Sequence, residues 1–254
     1  MCLIVIILDC AAWVFEGTGE QRLWLALGAT VVFAVLGYVV RGVTRSGAIA
    51  GAAVCFLLLA SAGPGAFLVL LVLFALTWVA TRLGRARKER LGTAERGTGR
   101  SGSQVLANLG AAAGCAILYG LRGTPGLLLM MTSALAEAAA DTVSSEYGQA
   151  FRKSAVLITT LETVPAGTDG GITLAGTLAG TLAASWVAGT AFVCTLISAR
   201  GLGISIGAAL VGMFADSFLG AGLERRGVLD NDGVNLLGTL VAASFSILLL
   251  KFCR

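Results

Sequence analysis

Two acidic signatures interrupt an otherwise apolar chain, Ala140-Asp141-Thr142 and Ala215-Asp216-Ser217, each at the end of a hydrophobic run. Ionisable side chains at membrane depth are costly, which makes a functional site the default reading of them. On a helix Glu137, Asp141 and Ser144/Ser145 fall on one stripe, because residues four apart share a face. The chain has no histidine, which excludes a histidine general base and a Ser-His-Asp triad. Carboxylates, amides and hydroxyls remain, the oxygen-rich set that hard cations such as Mg²⁺ or Mn²⁺ take as ligands. Asp141 and Asp216 are therefore the expected metal ligands, with Glu146 and Asp232 as further catalytic carboxylates. The competing reading pairs these acids with Arg152, Lys153, Arg225 and Arg226 as interfacial ion pairs.

Thr168-Asp169-Gly170-Gly171 and Asp230-Asn231-Asp232-Gly233 both read as glycine-led helix starts. Such a start turns unpaired N–H groups and a positive dipole end toward an anion, although a plain N-cap has the same composition. Two of them beside acidic helix ends and basic loops fit a metal-bound polyphosphate. Thr168, Asp169, Gly170 and Gly171 are thus candidate phosphate contacts, with Ser145, Ser217, Arg152 and Lys153 beside them. Asn231 and Asn235, like Gln104 and Asn108, are amides four apart that line the same cleft or hydrogen-bond between helices.

The elements that must position these groups are membrane helices. Of the 254 residues 57% are hydrophobic and 13% charged, and the apolar runs are continuous rather than alternating, which excludes a membrane β-barrel. With 35 glycines and 3 prolines, closely packed helices with small contact residues are expected. The six cysteines are scattered singly without metal-ligand spacing and read as small buried hydrophobes. The predicted fold is an all-α polytopic transmembrane bundle of about 8–9 helices in a single domain spanning 1–254. Its spans are a short first run Leu3 to Val14, then Leu23 to Val40, Gly47 to Ala62, Pro64 to Thr81, Gln104 to Leu121, Gly126 to Ser145, Gly171 to Ile197, Leu202 to Gly220 and Gly233 to Leu250. Holding the basic loop 82–103 in the cytoplasm puts thirteen of the 18 Lys and Arg residues inside. It also gathers Asp141, Glu146, Asp169, Asp216, Glu224, Asp230 and Asp232 at that face, with active-site loops at 141–171 and 216–235. Thr168 to Ala179 resembles Asn231 to Ala242, so the second half reads as two parallel copies of one helix-loop-helix unit.

The series EAAADTVSSEYG, RKSAVLITTLETVPAGTDGGITLAGTLAG, ADSFLGAGLE and LDNDGVNLLGTLVA, with TRSGAIAG and QVLANLG upstream, resembles the motifs of an integral membrane family first catalogued as a domain of unknown function. That family includes vertebrate transmembrane protein 19 and the plastid phytyl-phosphate kinase. The resemblance implies a Mg²⁺-dependent kinase that uses CTP as phosphoryl donor to convert a prenyl monophosphate, such as phytyl or geranylgeranyl phosphate, to the diphosphate. It points to Asp141, Ser145, Glu146, Thr168, Gly170, Gly171, Asp216, Ser217, Asn231 and Asn235. A cytidylyltransferase acting on a lipid phosphate, and a transporter or flippase of lipid phosphates, are the alternatives. The expected partners are the lipid substrate, a nucleoside triphosphate and the membrane, with no nucleic acid and with a homodimer left open.

Overall fold

A computed structural model describes residues 19–92, 94 and 99–252; the short first run Leu3 to Val14 and Arg96 lie outside them. Eight helices occur in order among the described residues: α1 (Gly19–Val39), α2 (Arg45–Arg82), α3 (Arg85–Leu91), α4 (Gly102–Arg122), α5 (Pro125–Phe151), α6 (Leu174–Val193), α7 (Ala199–Leu219) and α8 (Asn231–Phe252). Six of them are long and apolar enough to cross a membrane, and α1 contributes the shorter apolar stretch Leu23–Val39. The architecture is the all-α polytopic bundle that the apolar runs predict.

α2 is two legs rather than one rod. Straight, its 38 residues would span about 57 Å, yet Trp78 and Arg82 near its end donate to the carbonyl of Val40, just ahead of its start. The reversal occurs at Gly63, whose φ of 81° is open to glycine and costly to other residues, and Pro64 starts the second leg. The predicted pair of spans, Gly47 to Ala62 and Pro64 to Thr81, is this hairpin.

α5 is the axis of the bundle, packed on α2, α4, α6, α7 and α8. Its middle is built from Ser133, Ala134, Ala136, Ala138, Ala139 and Ala140, all buried, and side chains this small let several backbones approach at once. α6 comes closest: a Cβ at Gly180 would sit 2.6 Å from the carbonyl oxygen of Ala140, and one at Gly176 2.5 Å from that of Ser144. The Gly176/Gly180 face of α6 is therefore filled by α5.

Polar caps set the helix starts. Ser101 and Gln104 form a capping box at α4, while Thr44, Thr173 and Ser198 cap α2, α6 and α7. One expectation changes here. The TDGG segment does not open a helix; Gly171–Ile172 is a strand, β3, and α6 begins only at Leu174 behind Thr173. β3 pairs with β1 (Ser154–Leu157), which pairs on its other side with β2 (Thr163–Pro165), all antiparallel. The segment predicted as a polar loop thus contains a small sheet, in which alternate residues of β1, Ala155 and Leu157, are buried.

The pairs α5/α6 and α7/α8 bring Asp141 and Asp216 to the same polar pocket. Their connections differ: a sheet joins the first pair, and a π-helical turn, Gly220–Glu224, with a short loop after it joins the second. Since a methyl at Gly180 would press on backbone of α5, Gly180→Ala is expected to cost about 1–3 kcal/mol. Thermal unfolding in detergent should show a lowered midpoint for it and little change for Gly189→Ala, where an added Cβ meets nothing within 4 Å.

Candidate active site

Two polar arms meet at the end of the bundle where α2 begins and ends. One, of about 160 Å³, lies between α5, α7 and the 166–173 turn and is lined among others by Asp141, Asp169, Asp216 and Glu224. The second, of about 180 Å³, lies between α4, α5 and α8 and is lined by Arg100, Gln104, Asn108, Glu146 and Asn235. Asp141, Ser145, Gln149 and Asn231 line both, so the arms form one depression with the end of α5 as its spine.

Glu137 sits one turn deeper on α5 and is only 1% exposed. Its Oε1 and the Oδ2 of Asp216 are buried without a hydrogen-bond partner among the described residues. Both border the same point of α8: a Cβ at Gly238 would lie 2.6 Å from Glu137 Oε1 and 3.4 Å from Asp216 Oδ2. Gly212 on α7 makes room in the same way, since a Cβ there would meet Glu137 Cγ at 2.6 Å. A buried polar atom left unpaired costs about 1–3 kcal/mol, and two of them side by side suit a cation. Asp141, Asp216 and Glu137 offer oxygen donors alone, the set that Mg²⁺ takes. Among the described residues no three carboxylates or thiols close on one point. That arrangement fits a Mg²⁺ held by one or two carboxylates that completes its shell with phosphate oxygens and water.

The other predicted residues separate into groups. Thr168, Asp169, Gly170 and Gly171 line the first arm, as do Ser145, Asp216, Ser217 and Asn231. They act there as a turn rather than a helix N-terminus. The Gly171 N–H is already donated to Thr168 O at 2.8 Å, and Gly170, at φ 76°, packs so closely on Ala221 that a Cβ would come within 2.4 Å of its methyl. Asn231 does open α8, behind Asp230, whose Oδ1 accepts from Gly233 N at 2.9 Å. Asn108 and Asn235 line the second arm and each also donates to a carbonyl four residues back, Gln104 and Asn231 respectively.

Glu146 is buried and paired: Lys88 Nζ donates to its Oε2 at 2.6 Å and also to the carbonyls of Ala80 and Thr81. Lys88 is itself 1% exposed, so this pair fastens α3 to α5. Asp232 lines neither arm. Arg152 and Lys153 are exposed at the end of α5 and also lie outside both linings.

Two residues of the depression, Gln149 and Arg100, escape a reading by spacing, and a third, Glu224, is among the acids expected at this face. α5 continues to Phe151 instead of ending near Ser145, which puts Gln149 a turn beyond Ser145 on the same stripe, with its Oε1 buried and unpartnered. Arg100 is one of many loop cations in sequence, but Arg100 N donates to Gly42 O and its carbonyl accepts from Thr44 N. These bonds aim its guanidinium at Thr142 Oγ1, 3.2 Å away. Glu224 reaches the first arm from the π-helical turn, a feature frequent at functional sites.

Comparison with known proteins bears on this site. The profile of a family described as integral membrane protein DUF92 matches residues 28–243. An uncharacterized membrane protein of Methanocaldococcus jannaschii is 33% identical over 228 residues, 90% of this chain and 94% of the relative. One from Synechocystis is 34% identical over 193 residues, 74% and 75% of the two chains. The chloroplastic protein VTE6 of Arabidopsis thaliana is 31% identical over 238 residues, 89% of this chain and 72% of the relative. No solved structure matches the chain significantly.

Removing one partner of a buried ion pair strands the other charge, at a cost of about 3–5 kcal/mol. Lys88→Met and Glu146→Gln should each lower the unfolding midpoint strongly, and the double variant should be more stable than either single one. Additive losses in that double-mutant cycle would mean that the two side chains do not answer each other.

Proposed function

The chain belongs to the DUF92 family of integral membrane proteins, and on that footing we propose that it is a lipid-phosphate kinase. It transfers the terminal phosphoryl group of a nucleoside triphosphate, CTP by resemblance, to a prenyl monophosphate at the basic face of the membrane. The observation that carries the reading is the pair of buried, unpartnered oxygens on Glu137 and Asp216, beside a depression lined by Asp141, Asp216 and Arg100. The likeness of the motif series to a family that includes the plastid phytyl-phosphate kinase supplies the acceptor class.

In this reading Asp141 and Asp216 would hold Mg²⁺ on the triphosphate, where such an ion would supply charge neutralisation. Gln149, Asn231 and Asn235 orient the nucleotide through their amides, and the 168–171 turn covers the phosphates and excludes water. Arg100 draws the two anions together. An oxygen of the lipid phosphate attacks the γ-phosphorus, the bond from that phosphorus to the β,γ-bridging oxygen breaks, and the nucleoside diphosphate leaves with the electron pair. The acceptor is already an anion, so no side chain has to remove a proton, in keeping with a chain without histidine. Positioning and electrostatics do the remaining work. Apart from Glu137, which lies in the middle of α5, the acids line a depression at one end of the bundle, which favours an enzyme over a transporter, whose sites lie near the midplane.

Purified protein given Mg²⁺, γ-labelled CTP and a C20 prenyl monophosphate should yield labelled prenyl diphosphate and CDP. Release of pyrophosphate with cytidine retained on the lipid would establish the cytidylyltransferase instead, and no turnover with any of the common nucleoside triphosphates would overturn both. Asp141→Asn and Asp216→Asn should each lower turnover by about a hundredfold or more while retaining the wild-type unfolding midpoint; full activity in either removes that residue from the metal site.

A further inference from the structure

Beside the polar depression lies an apolar chamber between α1, the two legs of α2 and α4. Its walls include Phe33, Leu70, Leu73, Phe74 and Leu109, and from Leu70 to Arg82 it runs along about 18 Å of helix. Its mouth carries Arg41, Arg82, Arg85 and Arg100, and no carboxylate lines it among the described residues. Arg85 pairs with Glu89 on the surface at 2.8 Å, whereas Arg41, Arg82 and Arg100 enter no ion pair among the described residues. Arg82 is held in place, its guanidinium 3.9 Å above the Trp78 ring and bonded to Val40 O. Arg100 and Asn108 line this chamber and the polar depression alike. α1, which packs chiefly on α2, separates the chamber from the surrounding lipid by a single helix.

A basic mouth over an apolar interior fits an amphiphile with an anionic head. We propose that this chamber is the acceptor site: the lipid tail lies among Phe33, Leu70 and Phe74, and its phosphate rests on Arg41, Arg82 and Arg100, with Arg100 facing the nucleotide arm. The assignment rests on the kinase reading only for the identity of the lipid as acceptor; a lipid phosphomonoester would bind here without turnover. A second apolar pocket, between α6 and the second leg of α2, holds no charged residue among the described residues and does not touch the polar depression, so it offers no seat for a phosphate. Gly51 lines the proposed chamber, and a Cβ there meets nothing within 4 Å. A side chain at 51 therefore starts from open space in the wall of the chamber.

A C20 prenyl monophosphate with a diazirine at the tail end, photolysed with the membrane-embedded protein and mapped by mass spectrometry, tests this without catalysis. Label should fall in α1 and α2, be displaced by unlabelled prenyl phosphate but not by the prenol, and drop by about tenfold or more in Gly51→Leu. Gly189→Leu, in the pocket without charge, should stay within about twofold of wild type. Arg41→Gln gives an independent reading, losing label from the prenyl phosphate while keeping the wild-type unfolding midpoint. Displacement by phosphatidate as well would make the site one for lipid phosphomonoesters in general; displacement by prenyl phosphate alone would make it prenyl-specific. Label confined to α6, or equal displacement by prenol, overturns the assignment. Label in α1 and α2 without phosphoryl transfer leaves this site standing and removes the kinase, whereas transfer with label only in α6 does the reverse.

Discussion

A carboxyl-bearing helix enclosed by five others is the constraint on which the structure turns. α5 is narrow because its middle is alanine and serine, and a narrow helix can be surrounded on every side. Once surrounded, Glu137 cannot swing out to water as a surface glutamate would, and any charge on it must be answered from within, by a ligand or by a proton. α7 and α8 answer Glu137 with space instead of cations, through Gly212 and Gly238. Glu146, further along the helix, is answered by Lys88. The fold thus neutralises one carboxylate of α5 and leaves Glu137 and Asp141, with Asp216, beside a depression whose lining includes a single cation among the described residues, Arg100.

Much of this is legible in the amino-acid sequence. Continuous apolar runs give the spans, Gly63-Pro64 marks the reversal inside α2, and the positions of Asp141 and Asp216 toward two helix ends bring them to one face. The unread part is where local signals are degenerate. TDGG has the composition of a helix start and is a turn ahead of β3, because Ala155 and Leu157 bury themselves and pull the segment into a sheet. A glycine-led turn and a glycine-led helix share one composition, and only a strand alongside to pair with tells them apart.

Long-range pairing accounts for the rest. Nothing near Arg100 distinguishes it from the other basic residues of its loop; the backbone of Gly42 and Thr44, far away in the chain, selects it. Lys88 is likewise an ordinary member of a basic run until Glu146, 58 positions on, is seen against it. Gln149 is missed for a simpler reason, since a helix that extends to Phe151 has no stop signal at Ser145 and a polar sequence there resembles a loop.

Arg100 belongs to two compartments of opposite character, one acidic and one basic. A side chain shared in this way makes their occupancies thermodynamically linked. An anion in either compartment changes the field at the same guanidinium, and its effect on the affinity of the other must equal the reverse effect. Side chains shared by both compartments, Arg100 and Asn108, therefore do not separate two binding equilibria but couple them.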